Sequence, residues 1–221
     1  MADARISVRR HGDSGAPFTL QAALDALRLE GCPDVAYQAR FLEVDDADRA
    51  FASLAQDARW RQEHLTLFGR SCPAPRLTDW CGDEGLTYRY SRTDHPCTGW
   101  REPFIGLRDR IRAALGWPFD FVLANRYRDG ADSMGWHADA EAVLGRQPVI
   151  ASLSLGATRR FRLRHGATAR TLDLDLAHGS LLVMFGNSQH EWRHCVPSTR
   201  RGVGERINLT FRRLRGTGSR A

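Results

Sequence analysis

The sequence predicts an α+β, mainly β fold built on an antiparallel sandwich or barrel. Three observations lead there. Six runs downstream of Pro118 have strand composition and length, at 119–127, 149–155, 160–164, 171–176, 180–185 and 206–213. Turn residues separate them. No helical stretch lies between them, although a parallel sheet needs such crossovers. Helical periodicity is confined to the upstream half.

The elements follow in order. Residues 1–36 read as an N-terminal extension, punctuated by Gly, Asp, Ser and Pro at 12–17. Within it Leu20, Ala23, Leu24 and Leu27 repeat at helical spacing, ending near Gly31-Cys32-Pro33. A strand is expected over 35–42. Asp45-Asp46 then offer an N-cap, and Ala50, Phe51, Leu54 and Ala55 give a second helix its apolar stripe. Residues 66–100 are rich in Gly, Pro, Cys and aromatics and show weak periodicity, so long loops with short strands are expected there. Ile105, Leu107, Ile111, Ala114 and Leu115 mark a helix over 103–115, stopped by Gly116. There is no internal repeat.

Composition excludes several classes. The chain has 221 residues, a length that suits one domain. Its longest unbroken apolar run, 181–185, has five residues, so no membrane span is expected. The first residues lack the apolar stretch of a secretory signal. Five scattered cysteines with no CxxC pair favour a reduced cytoplasmic protein. All 32 basic residues are arginine, which suggests a high-GC genome and hence a bacterial cytoplasm. The net charge of +6 is uneven: residues 151–221 hold 13 Arg against 4 acids. Such an excess is either a solvated face or a surface for phosphates and carboxylates.

Two patterns carry chemistry. In His137-Ala-Asp139, side chains at i and i+2 of an extended segment point the same way and can face one metal. Completed by a distant histidine, the pair makes a two-His, one-carboxylate triad with open positions. A second such pair, His11-Gly-Asp13, sits in the extension with no sheet to hold it. Downstream, His165, His178, His190 and His194 are available as the third ligand; the first two each precede a glycine and read as turn residues. The other pattern is the last strand. There Arg206, Asn208, Thr210 and Arg212 share one face, and Ile207, Leu209 and Phe211 share the other. Such a polar face is either solvated or a carboxylate-binding wall.

In sequence order, Asn125-Arg-Tyr127, His137-x-Asp139, Trp192-Arg-His194 and Arg206-x-Asn208-Leu-Thr-Phe-Arg212 resemble the AlkB-type dioxygenases over about residues 37–215. The resemblance implies a double-stranded β-helix (jelly-roll) core over about 119–213, flanking N-terminal helices, a nucleotide-recognition lid over about 66–100, and a tail at 216–221. It implies Fe(II) on His137, Asp139 and His194, with His190 not a ligand. It implies 2-oxoglutarate held by Asn125, Tyr127, Arg206, Asn208, Thr210 and Arg212, with Arg206 on the distal carboxylate and Arg212 near the metal.

The lid carries Leu67-Phe68-Gly69-Arg70, Pro75-Arg76 and Gly85-Leu-Thr-Tyr88-Arg-Tyr90-Ser91, similar to the branch acting on duplex DNA. Phe68, Arg76, Tyr88, Tyr90, Ser91 and Glu141 are then expected to contact the substrate. Phe68 would fill the gap left by a flipped base. Ala140 departs from that branch, which often has an acid there. The implied activity is oxidative demethylation of 1-methyladenine- and 3-methylcytosine-type bases in DNA, single-stranded or duplex. The alternatives are an oxygenase acting on RNA or protein, or a metal-free module that binds alkylated DNA. The protein is expected to act as a monomer away from membranes. Arg159, Arg160, Arg162, Arg164, Arg200 and Arg201 are left for the phosphate backbone or solvent.

Overall fold

The computed structural model describes residue 24 and residues 27–67, 69–90 and 93–214. Seven antiparallel strands form the main sheet: β1 (Arg28–Leu29), β2 (Cys32–Gln38), β5 (Leu77–Gly82), β8 (Phe121–Tyr127), β10 (Ile150–Gly156), β13 (Ser180–Met184) and β15 (Arg206–Arg212). Their spatial order is β1-β2-β13-β10-β15-β8-β5. A smaller sheet runs β12-β11-β14-β9, from β12 (Thr171–Leu176), β11 (Arg159–His165), β14 (Trp192–Val196) and β9 (Met134–His137). Two hairpins complete the strands: β3 (His64–Leu67) with β4 (Arg70–Pro73), and β6 (Thr87–Tyr90) with β7 (Thr93–Pro96). The helices are α1 (Val44–Asp57), α2 (Phe104–Leu115) and the short α3 (Ser188–Glu191).

Both faces of the main sheet are covered, which explains why its strands are apolar on more than one side. On the outer face, Ala47, Ala50 and Leu54 of α1 and Phe104, Leu107, Ile111 and Leu115 of α2 pack on Ala151, Leu153, Leu155, Ile207, Leu209 and Phe211. Burying each such Leu or Ile stabilises the fold by roughly 1.5–3 kcal/mol. The inner face meets the small sheet through Tyr127, Ile150, Leu182 and Met184 against Phe161, Leu163, Leu174, Trp192 and Val196. This two-layer packing is the expected jelly-roll sandwich.

Local chemistry accounts for the ends of the helices. Gly116 closes α2 in the left-handed region at φ 62°, and its N–H reaches the Arg112 carbonyl at 2.8 Å. Asp45 and Asp46 lie inside the first turn of α1, after an N-cap at Glu43 whose side chain makes no capping bond. They therefore act on the helix dipole and not as the expected cap. Arg110 of α2 donates to Asp46 Oδ2 at 2.7 Å and ties the two helices together.

Three further features differ from the sequence reading. The main sheet starts within the residues assigned to an extension, because β1 and β2 pair with each other and β2 with β13. Leu24 is buried in the outer core, but Arg28 and Leu29, within the end of that expected helix, form strand β1; its residues before Leu27, apart from Leu24, lie outside the described residues, as do His11, Asp13 and the tail. Strands β9 and β14 fall where no strand was expected. The Arg159 side chain, set aside for phosphates or solvent, is buried and donates to the carbonyls of Asp129, Asp132 and Pro197 at 2.8–2.9 Å. Three backbone carbonyls depend on it, so it serves the fold. No described helix is long and apolar enough to cross a membrane.

Candidate active site

Two strand registers assemble the site. On the small sheet, His194 of β14 stands directly opposite His137 of β9. Their rings meet edge to face at 4.2 Å between centroids. On the main sheet, β15 lies between β8 and β10. Arg206 faces Tyr127, Asn208 faces Asn125 and Ser154, and Thr210 faces Ser152. Period-two alternation thus stacks the polar residues of three strands into one patch. Asn125, Tyr127, Ser152, Asn208 and Thr210 line a single cavity with Met134, Phe161, Met184, His137, Asp139, His194 and Arg212, and Arg206 and Ser154 continue the same face next to it. All seven residues of β15 are buried, so its polar face looks into the interior and not to solvent.

Among the described residues, His137, Asp139 and His194 form the one cluster able to hold a metal ion, with ligand atoms within 4.8 Å of one another. Each is prepared for that task. His137 Nδ1 lies 2.8 Å from the Gly135 carbonyl, which can only accept. Nδ1 therefore carries the proton, and Nε2 keeps a lone pair. His194 stacks on Phe161 with ring centroids 5.3 Å apart. Burial, with His137 beside it, depresses its pKa to about 3, so the ring is the neutral ligand form. Asp139 follows the end of β9 and is held by its backbone N–H on Gln189 Oε1 at 2.9 Å. Arg212 Nη2 donates to Asp139 Oδ2 at 2.9 Å. Burial alone would raise this carboxyl; the Arg212 guanidinium and the two imidazoles outweigh it and hold it below the usual range. Asp139 Oδ1 is buried with no hydrogen-bond partner. An ionised, orphaned oxygen beside two imidazole lone pairs fits a divalent iron ion.

The anion-binding wall fits as well. Arg206 is 1% exposed, and its Nη2 donates to Ser154 Oγ at 2.9 Å. Its Nε and Nη1 are buried with no partner, and it stacks over Tyr127 at 5.1 Å. A buried guanidinium with two unpartnered nitrogens is costly unless a carboxylate meets it. Asn208 is saturated internally, donating to Ser152 Oγ and the Leu153 carbonyl and accepting from Thr210 Oγ1 at 3.2 Å. It braces the wall. Asn125 Oδ1 accepts from Arg76 Nε, which turns the amide nitrogen away from Arg76.

The substrate candidates divide. Tyr88 is fully buried, with its ring on Phe121 at 4.8 Å and the Arg212 guanidinium 5.4 Å from its centroid. Glu141 is half-buried beside it; burial, with the Asp139 charge, raises its carboxyl. Arg76 is 2% exposed and donates from Nε to Asn125 Oδ1 at 2.9 Å, which places it behind the anion wall and not on the lid surface. Phe68, Ser91 and the Tyr90 side chain lie outside the described residues. His190 is exposed and bonds the Arg146 carbonyl, away from the cluster. His178 and His165 are bound at turns, where Nδ1 accepts backbone N–H groups. Sequence reasoning missed Ser152, Ser154 and Gln189. The two serines had a signal: they alternate within the otherwise apolar 150–155.

Known proteins match over these same elements. The family model of the 2OG-Fe(II) oxygenase superfamily matches residues 34–212. The alpha-ketoglutarate-dependent dioxygenase alkB homolog 3 of Bos taurus is 38% identical over 182 residues, covering 78% of this chain and 63% of that protein. The DNA oxidative demethylase ALKBH2 of Mus musculus is 37% identical over 180 residues, covering 76% of this chain and 75% of that protein. The chain thus spans under two thirds of the first relative's length. A crystal structure of a 2OG-Fe(II) oxygenase-family oxidoreductase from Burkholderia pseudomallei shares the fold, with a TM-score of 0.61 at 17% identity over 95% of each chain.

Proposed function

This chain belongs to the 2OG-Fe(II) oxygenase superfamily, as an AlkB-type member, and from that premise we propose that it oxidatively demethylates N-alkylated bases in DNA. The substrates are of the 1-methyladenine and 3-methylcytosine type. The products are the repaired base, formaldehyde, succinate and CO2. One observation carries the reading: the His137–Asp139–His194 cluster, with an orphaned carboxylate oxygen, opens on the same cavity as Asn208 and Thr210, on the strand face that also bears the half-vacant Arg206. The ALKBH2 relative, a DNA oxidative demethylase, supports the DNA substrate.

His137, Asp139 and His194 would hold Fe(II), and the β15 face would hold 2-oxoglutarate. Fe(II), when bound, supplies the dioxygen-dependent oxidation of the alkyl carbon, coupled to loss of CO2 from 2-oxoglutarate. The protein's own work is positioning. Arg206 takes the distal carboxylate on its free N–H groups. Arg212 keeps Asp139 ionised and turns Oδ1 away from itself. Phe161 and Met184 exclude water from the cavity they line. A base edge cannot reach this depth while stacked, so the nucleotide must leave the helix. Phe68, Tyr90 and Ser91 are assigned to that step, with Glu141 and Tyr88 at the base. We take the protein to act as a cytoplasmic monomer.

Incubation with a methylated oligonucleotide, Fe(II) and 2-oxoglutarate is expected to yield formaldehyde and succinate that depend on the methyl group. Parallel duplex, single-stranded, RNA and peptide substrates rank the classes. Metal-loaded protein that releases neither product from DNA would overturn the proposal.

A further inference from the structure

We infer that Arg76 is a positioning residue for the co-substrate pocket and works through Asn125. This rests on the proposed role of that cavity as a 2-oxoglutarate site. A guanidinium donates and never accepts. With Arg76 Nε 2.9 Å from Asn125 Oδ1, only one orientation of the amide is compatible: oxygen toward Arg76, NH2 away from it. Asn125 lines the cavity together with Thr210, His137 and Asp139. Arg76 therefore makes the wall present N–H donors, which an anion needs, and not a carbonyl oxygen, which would repel it.

Arg76 is itself held from behind. Gln62 Nε2 donates to the Arg76 carbonyl at 3.2 Å and to that of Ala74 at 2.6 Å. The next residue, Glu63, places Oε1 2.7 Å from His95 Nε2, and the other nitrogen of that fully buried ring meets the Tyr88 carbonyl at 3.1 Å. Arg76 and Glu63 also attract one another electrostatically. A chain of polar contacts thus runs from β6 and β7 of the lid, through His95 and Glu63, to Arg76 and the co-substrate wall. An arginine meant for a DNA phosphate has no reason to be buried at the end of such a chain.

The test is calorimetric titration of 2-oxoglutarate into the Mn(II)-loaded protein without DNA. Arg76→Met is expected to weaken binding about tenfold, the scale of one hydrogen bond to a charged group. Arg76→Lys, which keeps a donor, is expected to recover part of that loss. The pair Arg76→Met/Asn125→Ala should bind no more weakly than Asn125→Ala alone, and turnover should show a raised KM for 2-oxoglutarate with kcat largely kept. Unchanged 2-oxoglutarate affinity in Arg76→Met, with a raised KM for the oligonucleotide, would make Arg76 a nucleotide contact and overturn the inference. Additive losses in the double variant would do the same. If Arg76→Met does not fold, the same cycle run with Arg76→Lys decides. Wild-type protein that binds no 2-oxoglutarate would instead sink the proposed function.

Discussion

His137 and His194 face each other across one strand pairing, and this single register decides which of the downstream histidines can share a metal. His190 is only four residues earlier, yet it sits exposed on α3 with its ring on the Arg146 carbonyl. His194→Ala is therefore expected to abolish both turnover and stoichiometric metal binding, while His190→Ala keeps both within about twofold. Metal analysis alongside succinate release checks it, and equal losses from the two variants would undo the ligand assignment. Little in the sequence separates these two histidines without the Trp192-Arg-His194 resemblance. The difference is a matter of which face of β14 points inward, and β14 is identifiable only through its partners.

Strands β11 and β12 show the same lesson with charge. Their exposed face pairs Arg160 with Asp175 and Arg162 with Asp173 in register, with side-chain contacts of 2.7–3.1 Å. Such exposed pairs contribute little stability, but they neutralise arginines that composition alone offered to phosphates. Arg164 lies instead over the Trp136 ring at 4.6 Å. Replacing one phosphate-contacting arginine lowers the salt slope of nucleic-acid binding by about one. Arg160→Ala should leave that slope unchanged in anisotropy titrations over a salt series, and a drop of about one would show that it contacts DNA. At this scale the runs that alternate cleanly, such as β15 and β12, were legible. β9 and β14 were not: they have four and five residues, and Met-Gly-Trp-His carries no alternation. They are strands because each hydrogen-bonds the other.

For the molecule as a whole, ligands that bind only the folded state must stabilise it. Mn(II) with 2-oxoglutarate at about 100 times its dissociation constant is expected to add about 2.7 kcal/mol and raise Tm. Chelation of the metal should remove that gain, and Arg206→Ala should lose the 2-oxoglutarate share while keeping the metal share. Thermal unfolding of both proteins, each with metal alone and with metal and 2-oxoglutarate, measures this; an Arg206→Ala protein stabilised by 2-oxoglutarate as fully as wild type would contradict the role given to that arginine. The arginine excess of residues 151–221 resolves at this scale into separate populations. Arg206 and Arg212 are buried on one face of β15, Arg159 is buried in the fold, and Arg160 and Arg162 are paired at the surface.

By itself, the sequence determined the mainly β class, the helix expected over 103–115 and found over 104–115, and the shared face of Arg206, Asn208, Thr210 and Arg212. All of these follow from local periodicity, which a single segment carries complete. It also determined the donor types of the metal cluster. Tertiary structure alone decided that this polar face is interior, that β9 and β14 pair to oppose His137 and His194, and that Arg76 reaches Asn125, 49 residues away. Those outcomes depend on registers between strands distant in the chain. A register is the lowest-free-energy choice of the whole packed sandwich, so no segment encodes it alone.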